Sequence, residues 1–266
     1  MNAFEYSRPA TVADASAQAQ AANAKLLAGG QSLLAAMKLG LAAPEALIDL
    51  SQVAELRGIR VEPHQVTVGA MVTHAEVAAH AELRAAIPAL ADLTDQIGDR
   101  QVRHRGTLGG SLANNDPAAC YPAAVLGLGA TVHTRGPSQS RSIAADDFFK
   151  GLYETALTDG ELITAVSFPR PKAAAWQKFK QPASRFALVG VFVSQGPQGV
   201  RVAVTGASAV VFRATELEAR LAADWSAAAL AGATVSAEGL NADLHGSAEY
   251  RAALIPVLAA RAVAAS

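Results

Sequence analysis

A single cysteine, Cys120, constrains this chain of 266 residues more than any other feature. One thiol cannot build an internal disulfide framework, a four-cysteine zinc site or an iron–sulfur cluster held by this chain alone. The fold must therefore rest on a buried apolar core, and a chain of this length can bury a large one. Hydrophobic residues make up 51% and charged residues 17%, the reverse of a disordered composition. Aromatic residues are only 5%, so the core is built mainly from small aliphatic side chains. Lys and Arg total 22 against 23 Asp and Glu, which lacks the basic excess of a general nucleic-acid binder. The six histidines are scattered, and the closest pair, His74 and His80, misses the i, i+4 spacing that sets two imidazoles on one helical face. No metal site is expected.

The N-terminal segment MNAFEYSRPA has no apolar run of the secretory type. The most apolar stretch, 118–132, is interrupted by Pro122 and falls short of the roughly 20 apolar residues of a bilayer span. The expectation is a soluble, cytoplasmic chain with no membrane span.

The first fifty residues read as a βαβ-like unit. It has a helix over 14–23, a short strand over 25–28, a break at Gly29 and Gly30, a helix from Ser32 to Gly40 and a strand over 46–50. A hairpin over 58–61 and 65–69 follows, turning at Glu62-Pro63-His64. Thr73 can cap the helix HAEVAAHAEL, with Glu76 three residues on as the partner of a capping box. Pro88 opens another helix through Gln96. A polar, basic segment, GDRQVRHRG, precedes TLGGSLANNDP; a helix over 118–128 and strands over 130–135 and 161–168 complete this part. Pro169, Arg170 and Pro171 mark the best boundary. Beyond them, 176–180, 186–194 and 200–206 read as antiparallel strands, with helices over 215–223 and 249–265, the second kinked at Pro256. The reading is α+β, with units over 1–55, 56–170 and 171–266.

Two segments carry chemistry: AGGQS at 28–32 and TLGGS at 107–111. Adjacent glycines let backbone N–H groups converge on an anion with no Cβ in the way, and a helix N-terminus adds partial positive charge. Either Gly-Gly pair alone can be a plain tight turn. Two such loops about 80 residues apart suit the two phosphates of a pyrophosphate. Neither is the G-x-G-x-x-G pattern of a Rossmann fold, and neither is followed by the Gly-Lys-Ser/Thr of a Walker loop.

On these residues the sequence resembles the FAD-binding medium subunit of the molybdenum hydroxylases, the family of carbon monoxide and xanthine dehydrogenases. The matching segments are AGGQSLLAAMKLGLAAPEALIDLSQVAELRGI, VGAMVTHAEV, QIGDRQVRHRGTLGGSLANNDPAACYPAAVLGLGA and DDFFKGLYETALTDGELITAVSFP, in order and over nearly the whole chain. The resemblance implies a vanillyl-alcohol-oxidase-type FAD-binding fold, two α/β subdomains plus a small C-terminal α+β domain. It implies non-covalent FAD in this chain, and a molybdenum cofactor and two iron–sulfur clusters on partner subunits. The implied assembly joins a large molybdenum subunit and a small iron–sulfur subunit in a dimer of heterotrimers. Electrons then pass from the clusters through FAD to a quinone, oxygen or NAD.

By motif position, the resemblance makes Ala28, Gly29, Gly30, Gln31, Ser32 and Leu33 the first FAD loop and Thr107, Gly109, Gly110 and Ser111 the second. Asp116 falls where the family has an acidic residue, with a turn or helix cap as its plain alternative. Ile97 and Ile163 stand where relatives touch the cofactor, with core packing as the alternative for both. Lys180 matches a lysine beside the flavin, against a solvated strand lysine. Phe186 stands where relatives often have a flavin-side Tyr, and keeps the stacking surface without the hydroxyl. Cys120 replaces an Asp of the family. A stand-alone flavoprotein oxidoreductase of the same fold is the competing reading; it needs its own substrate base near the flavin, and none stands out.

Overall fold

The computed structural model describes residues 2–266. The first unit holds β1 (Glu5–Ser7), α1 (Val12–Gln18), β2 (Ala24–Leu27), α2 (Leu33–Lys38) and β3 (Ala46–Asp49). Both β1 and β2 run parallel to β3, in the order β1-β3-β2. Helix α1 starts before the expected position because the Thr11 side chain accepts from Asp14 N–H and caps it there. It also ends earlier, and Asn23 turns the chain into β2 at φ +51°.

The second stretch contains β4 (Ile59–Val61), β5 (Gln65–Gly69), α3 (His74–Ala79), α4 (Ala81–Ala86), α5 (Pro88–Asp95), α6 (Arg100–Arg105), α7 (Leu108–Asn114) and α8 (Tyr121–Gly127). It continues through β6 (Thr131–Arg135), β7 (Ser140–Ala144), α9 (Ala145–Phe148), β8 (Phe149–Gly151), β9 (Glu154–Thr155) and β10 (Leu162–Pro169). Five of these strands form an antiparallel sheet in the order β4-β5-β10-β6-β7. The Thr73 capping box is present as expected. The single helix HAEVAAHAEL is instead two, because the His80 ring accepts from Leu83 N–H and starts α4 afresh. The basic segment GDRQVRHRG is helical as α6, capped by the Asp99 carboxylate on Val102 N–H. The helix expected from Ala118 begins only at Tyr121, since Ala118 and Ala119 N–H close a turn on Asp116. Pro169 does not stop β10; it is the strand's last residue and pairs with Gln65.

The remainder holds β11 (Ala173–Lys180), β12 (Ala187–Gly196), β13 (Gly199–Thr205), β14 (Phe212–Arg213), α10 (Thr215–Ala223) and α11 (Ala248–Ala264), which continues through Pro256. The four strands form one antiparallel sheet in chain order. β12 is apolar without alternation because both of its faces are buried. Val189, Val191 and Val193 pack with Leu217, Leu221, Ile255 and Leu258 of α10 and α11. On its other face Phe192, with Trp176, joins the core of the second stretch, among Leu90, Leu93, Tyr121, Val125 and Phe168. The C-terminal sheet is thus packed into that core rather than standing apart. A smaller core ties Val12, Ala15 and Ile48 of the first unit to Leu56, Met71 and Leu162. No helix among the described residues is long and apolar enough to cross a membrane.

Candidate cofactor site

The two glycine segments, far apart in sequence, meet in the fold. A Cβ placed on Gly29 would stand 2.0 Å from the carbonyl oxygen of Arg105, and one on Gly110 would stand 3.3 Å from Ala28 Cβ. Only glycine permits the first approach. Gly30 adopts φ +74°, which L side chains reach at a cost of roughly 1–2 kcal/mol. The second segment is pinned from behind by residues 70–74. Leu108 N–H donates to Val72 O at 3.1 Å, Gly109 N–H to Ala70 O at 2.8 Å, and His74 N–H to Gly106 O at 2.9 Å.

The loops divide the work differently from the sequence expectation. In the first, the consecutive N–H groups of Gly29, Gly30, Gln31, Ser32 and Leu33 donate to no acceptor among the described residues, and the Ser32 hydroxyl makes no cap. In the second, the backbone donors from Leu108 to Ser111 are spent. Gly109 serves Ala70, Gly110 N–H donates to Thr107 Oγ1 at 3.1 Å, and Ser111 N–H donates to Thr107 O at 3.0 Å. Thr107 caps α7 and takes the N–H its glycine neighbour was expected to offer. The open backbone donors are therefore concentrated in the first loop, and the second presents a close-packed wall.

Helix α6 connects this region to a second one. Its C-terminal end carries the Arg105 carbonyl that faces Gly29, and its N-terminal end begins at the Gln96–Gly98 corner. Three consecutive carbonyls at that corner accept from cations. Lys178 Nζ donates to Gln96 O at 2.6 Å, Arg103 Nη1 to Ile97 O at 3.1 Å, and Arg185 Nη1 to Gly98 O at 3.3 Å. The C-terminal end of a helix, here α5, favours such charges. Ile97 is half-buried at this corner against the core. Phe186, 49% exposed, follows Arg185 (φ +63°) on the β11–β12 connection.

The other candidates separate. Lys180 lies exposed at the end of β11, while Lys178 reaches the Gln96–Gly98 corner. Ile163 is 4% exposed inside the core, at the irregular register between Ile163 and Ala165, so its side chain follows the packing alternative. Asp116 caps its turn through Ala118 N–H at 2.8 Å and accepts from Tyr153 Oη at 3.2 Å. Cys120 is buried, and burial pushes its thiol up, so it meets Lys178 as a neutral group. His74 was missed as a member of this region. Its buried ring backs Gly106, where a Cβ would come within 2.5 Å of Nε2, and its Nδ1 has no partner. Burial, then the charge of Arg103, lowers it to about 4, so it is neutral at physiological pH. Among the described residues, no group of three His, Cys, Asp or Glu side chains is placed to hold a metal ion.

Paired glycine loops with a run of open backbone donors suit a nucleotide cofactor in a protein of α+β class. Residues 2–171 match the family described as the FAD binding domain in molybdopterin dehydrogenase. The carbon monoxide dehydrogenase medium chain of Hydrogenophaga pseudoflava is 34% identical, over 99% of this chain and 96% of its own. The nicotine 6-hydroxylase medium subunit of Paenarthrobacter nicotinovorans is 34% identical over 98% and 96%. The solved structure of quinoline 2-oxidoreductase from Pseudomonas putida 86 superposes with a TM-score of 0.89 at 31% identity, over 99% of this chain and 96% of that one. This chain therefore belongs to the FAD-binding medium subunits of the molybdenum hydroxylases, which are oxidoreductase chains with FAD as their cofactor.

Proposed function

We propose that this chain holds FAD non-covalently between its two glycine loops and relays electrons from partner iron–sulfur clusters to an external acceptor. The observation that carries this reading is the run of free N–H groups from Gly29 to Leu33, set against the wall of Thr107, Gly109 and Gly110. The loops contain no Lys or Arg, so a diphosphate there would be met by backbone N–H groups and by the Ser32 and Ser111 hydroxyls. A Cβ at Gly29 would push the first loop off the Arg105 carbonyl that backs it. Ala28 precedes the run, Leu33 ends it, and Gln31 adds an exposed amide.

Bound FAD would supply a reversible electron carrier. The chain's own residues orient it: Ile97 and Phe186 offer apolar surface for the ring, Lys180 a mobile charge at the rim, and Asp116 with Tyr153 a polar edge beyond α7. Ile163 could contribute through its backbone at the β10 irregularity. Neither loop holds a His or Cys for a covalent link to the ring. The partners would be a large molybdenum subunit and a small iron–sulfur subunit, in a dimer of heterotrimers in the cytoplasm. The acceptor would be a quinone, oxygen or NAD. The lone Cys120 agrees with clusters held elsewhere.

The test is purification from the native host. The proposal expects flavin and iron–sulfur absorbance with two co-purifying chains, and all the yellow colour in the supernatant after acid precipitation. Flavin retained on the pellet would sink the non-covalent reading. Flavin with activity in a single purified chain would instead establish the stand-alone oxidoreductase.

A further inference from the structure

We propose that Lys178 is a positioning residue that latches the tip of the β11–β12 hairpin, and with it Phe186, onto the Gln96–Gly98 corner. Its half-buried ammonium joins three elements at once. It donates to Gln96 O at the end of α5 at 2.6 Å and to Arg185 O at the hairpin tip at 3.0 Å, and it approaches Cys120 Sγ at the start of α8 at 3.5 Å. The thiol is kept neutral by burial, so it does not draw the ammonium away from the two carbonyls. Arg185 closes the latch from the other direction, donating through Nη1 to Gly98 O at 3.3 Å.

The rest of the tip is held weakly. Residues 182–186 are exposed, and their remaining bonds are local: Gln181 N–H to Phe186 O at 2.9 Å, Arg185 N–H to Gln181 O at 2.9 Å and Phe186 N–H to Ser184 Oγ at 3.3 Å. Local bonds fix the shape of a loop but not its attachment to the body of the protein. Attachment rests on the two cations, and charge-assisted bonds are the strong ones. Lys178 holds the carbonyl of the Arg185–Phe186 peptide bond itself, one bond from the aromatic residue proposed to face the flavin. Loss of the ammonium would therefore release both that peptide bond and the ring. The flavin part of this inference rests on the proposed function; the latch does not.

The Arg185–Phe186 bond is also a trypsin site, so one protease reads the latch with or without cofactor. Lys178→Met keeps the length of the side chain and removes the charge. In the full chain it should be cut at Arg185–Phe186 about tenfold faster than wild type under mild digestion, identified by fragment mass. FAD stoichiometry should stay the same, because the glycine loops are untouched, while flavin fluorescence and visible circular dichroism change. Lys178→Arg should restore slow cutting and the wild-type spectra. Lys178→Gln gives the same reading as Met should the Met variant not fold. Cutting at the wild-type rate would overturn the latch. Fast cutting with unchanged flavin spectra would overturn the positioning role, as would loss of FAD from a well-folded Lys178→Met. A wild-type chain that takes up no FAD would defeat the proposed function instead, and the cutting rates would still decide the latch.

Discussion

A methyl group on Gly29 has nowhere to go. At 2.0 Å from the Arg105 carbonyl it would force the first loop away from α6, and neither side of that contact is a flexible side chain. Gly29→Ala is expected to lower FAD occupancy by about tenfold or more with far-UV circular dichroism retained, since the loop caps the core rather than filling it. Ser111→Ala removes one hydroxyl, worth roughly 1.5–3 kcal/mol if its partner is a charged phosphate, and should leave a protein that still binds FAD more weakly. Flavin stoichiometry on both variants checks the pair, and a fully loaded Gly29→Ala would defeat the two-loop site. Phe186→Ala should change flavin fluorescence with little loss of stability, because the ring is half exposed and contributes little to the core. An unchanged spectrum would make Phe186 a plain surface residue.

At the scale of elements, the site is placed by helix termini. Thr73 caps α3 through Glu76 N–H, while Glu76 returns a carboxylate to the Thr73 N–H at 2.7 Å. Thr73 also bridges to Thr107 at the start of α7, so the two caps are neighbours. Thr73→Ala should cost about 1 kcal/mol of stability, the usual loss of an N-cap, measured by chemical denaturation. Because the cap lies beside the second glycine segment, FAD affinity should fall in the same variant. A stability loss with unchanged affinity would show that the bridge does not brace the site. His80 performs the same local task for α4 with an imidazole, which is why a continuous apolar pattern folds as two helices.

At the scale of the whole molecule, two groups make folding sensitive to acid. His74 is lowered to about 4 in the folded chain against an ordinary value of 6.5, so the unfolded chain binds its proton first and stability falls as pH drops from 6.5 towards 4. Glu161 links β10 to β6 and β7. Its carboxylate accepts from Arg141 Nε at 2.8 Å and Thr158 N–H at 2.9 Å, and from the Thr134 hydroxyl. Burial opposes its charge, but these donors outweigh burial and hold it at about 2. Its contribution, about 3 kcal/mol at the scale of such a shift, is present above pH 4.5 and is lost as pH falls towards 2. Tm against pH should decline in these two windows. His74→Phe should flatten the first and leave the second, and Glu161→Gln the reverse. A profile of unchanged shape in both variants would defeat the assignment.

The sequence by itself determined the α+β class, the main strands and helices, the capping box at Thr73, the antiparallel C-terminal strands and the two glycine segments, while short elements such as β1, β7, β8, β9 and α9 were not legible in it. Each of these is written in local chemistry: side-chain period, cap residues and glycines without a Cβ. The tertiary structure alone decided how the site uses them. Gly109 N–H is spent on Ala70 and Gly110 N–H on Thr107, so the first loop alone keeps a consecutive run of open donors. The basic run after Asp99 reads only as a polar segment, and its place as a helix between Gly29 and the Gln96–Gly98 corner follows from contacts distant in sequence. Lys178 and Lys180 share one face of β11, and only the approach of α5 and α8 selects Lys178. Ile163 is buried because α7 packs on that part of β10, bringing Leu108 and Leu112 into the same cluster. A hydrogen-bond donor is free or spent, and a side chain buried or exposed, according to what arrives from elsewhere in the chain, and that information is not local.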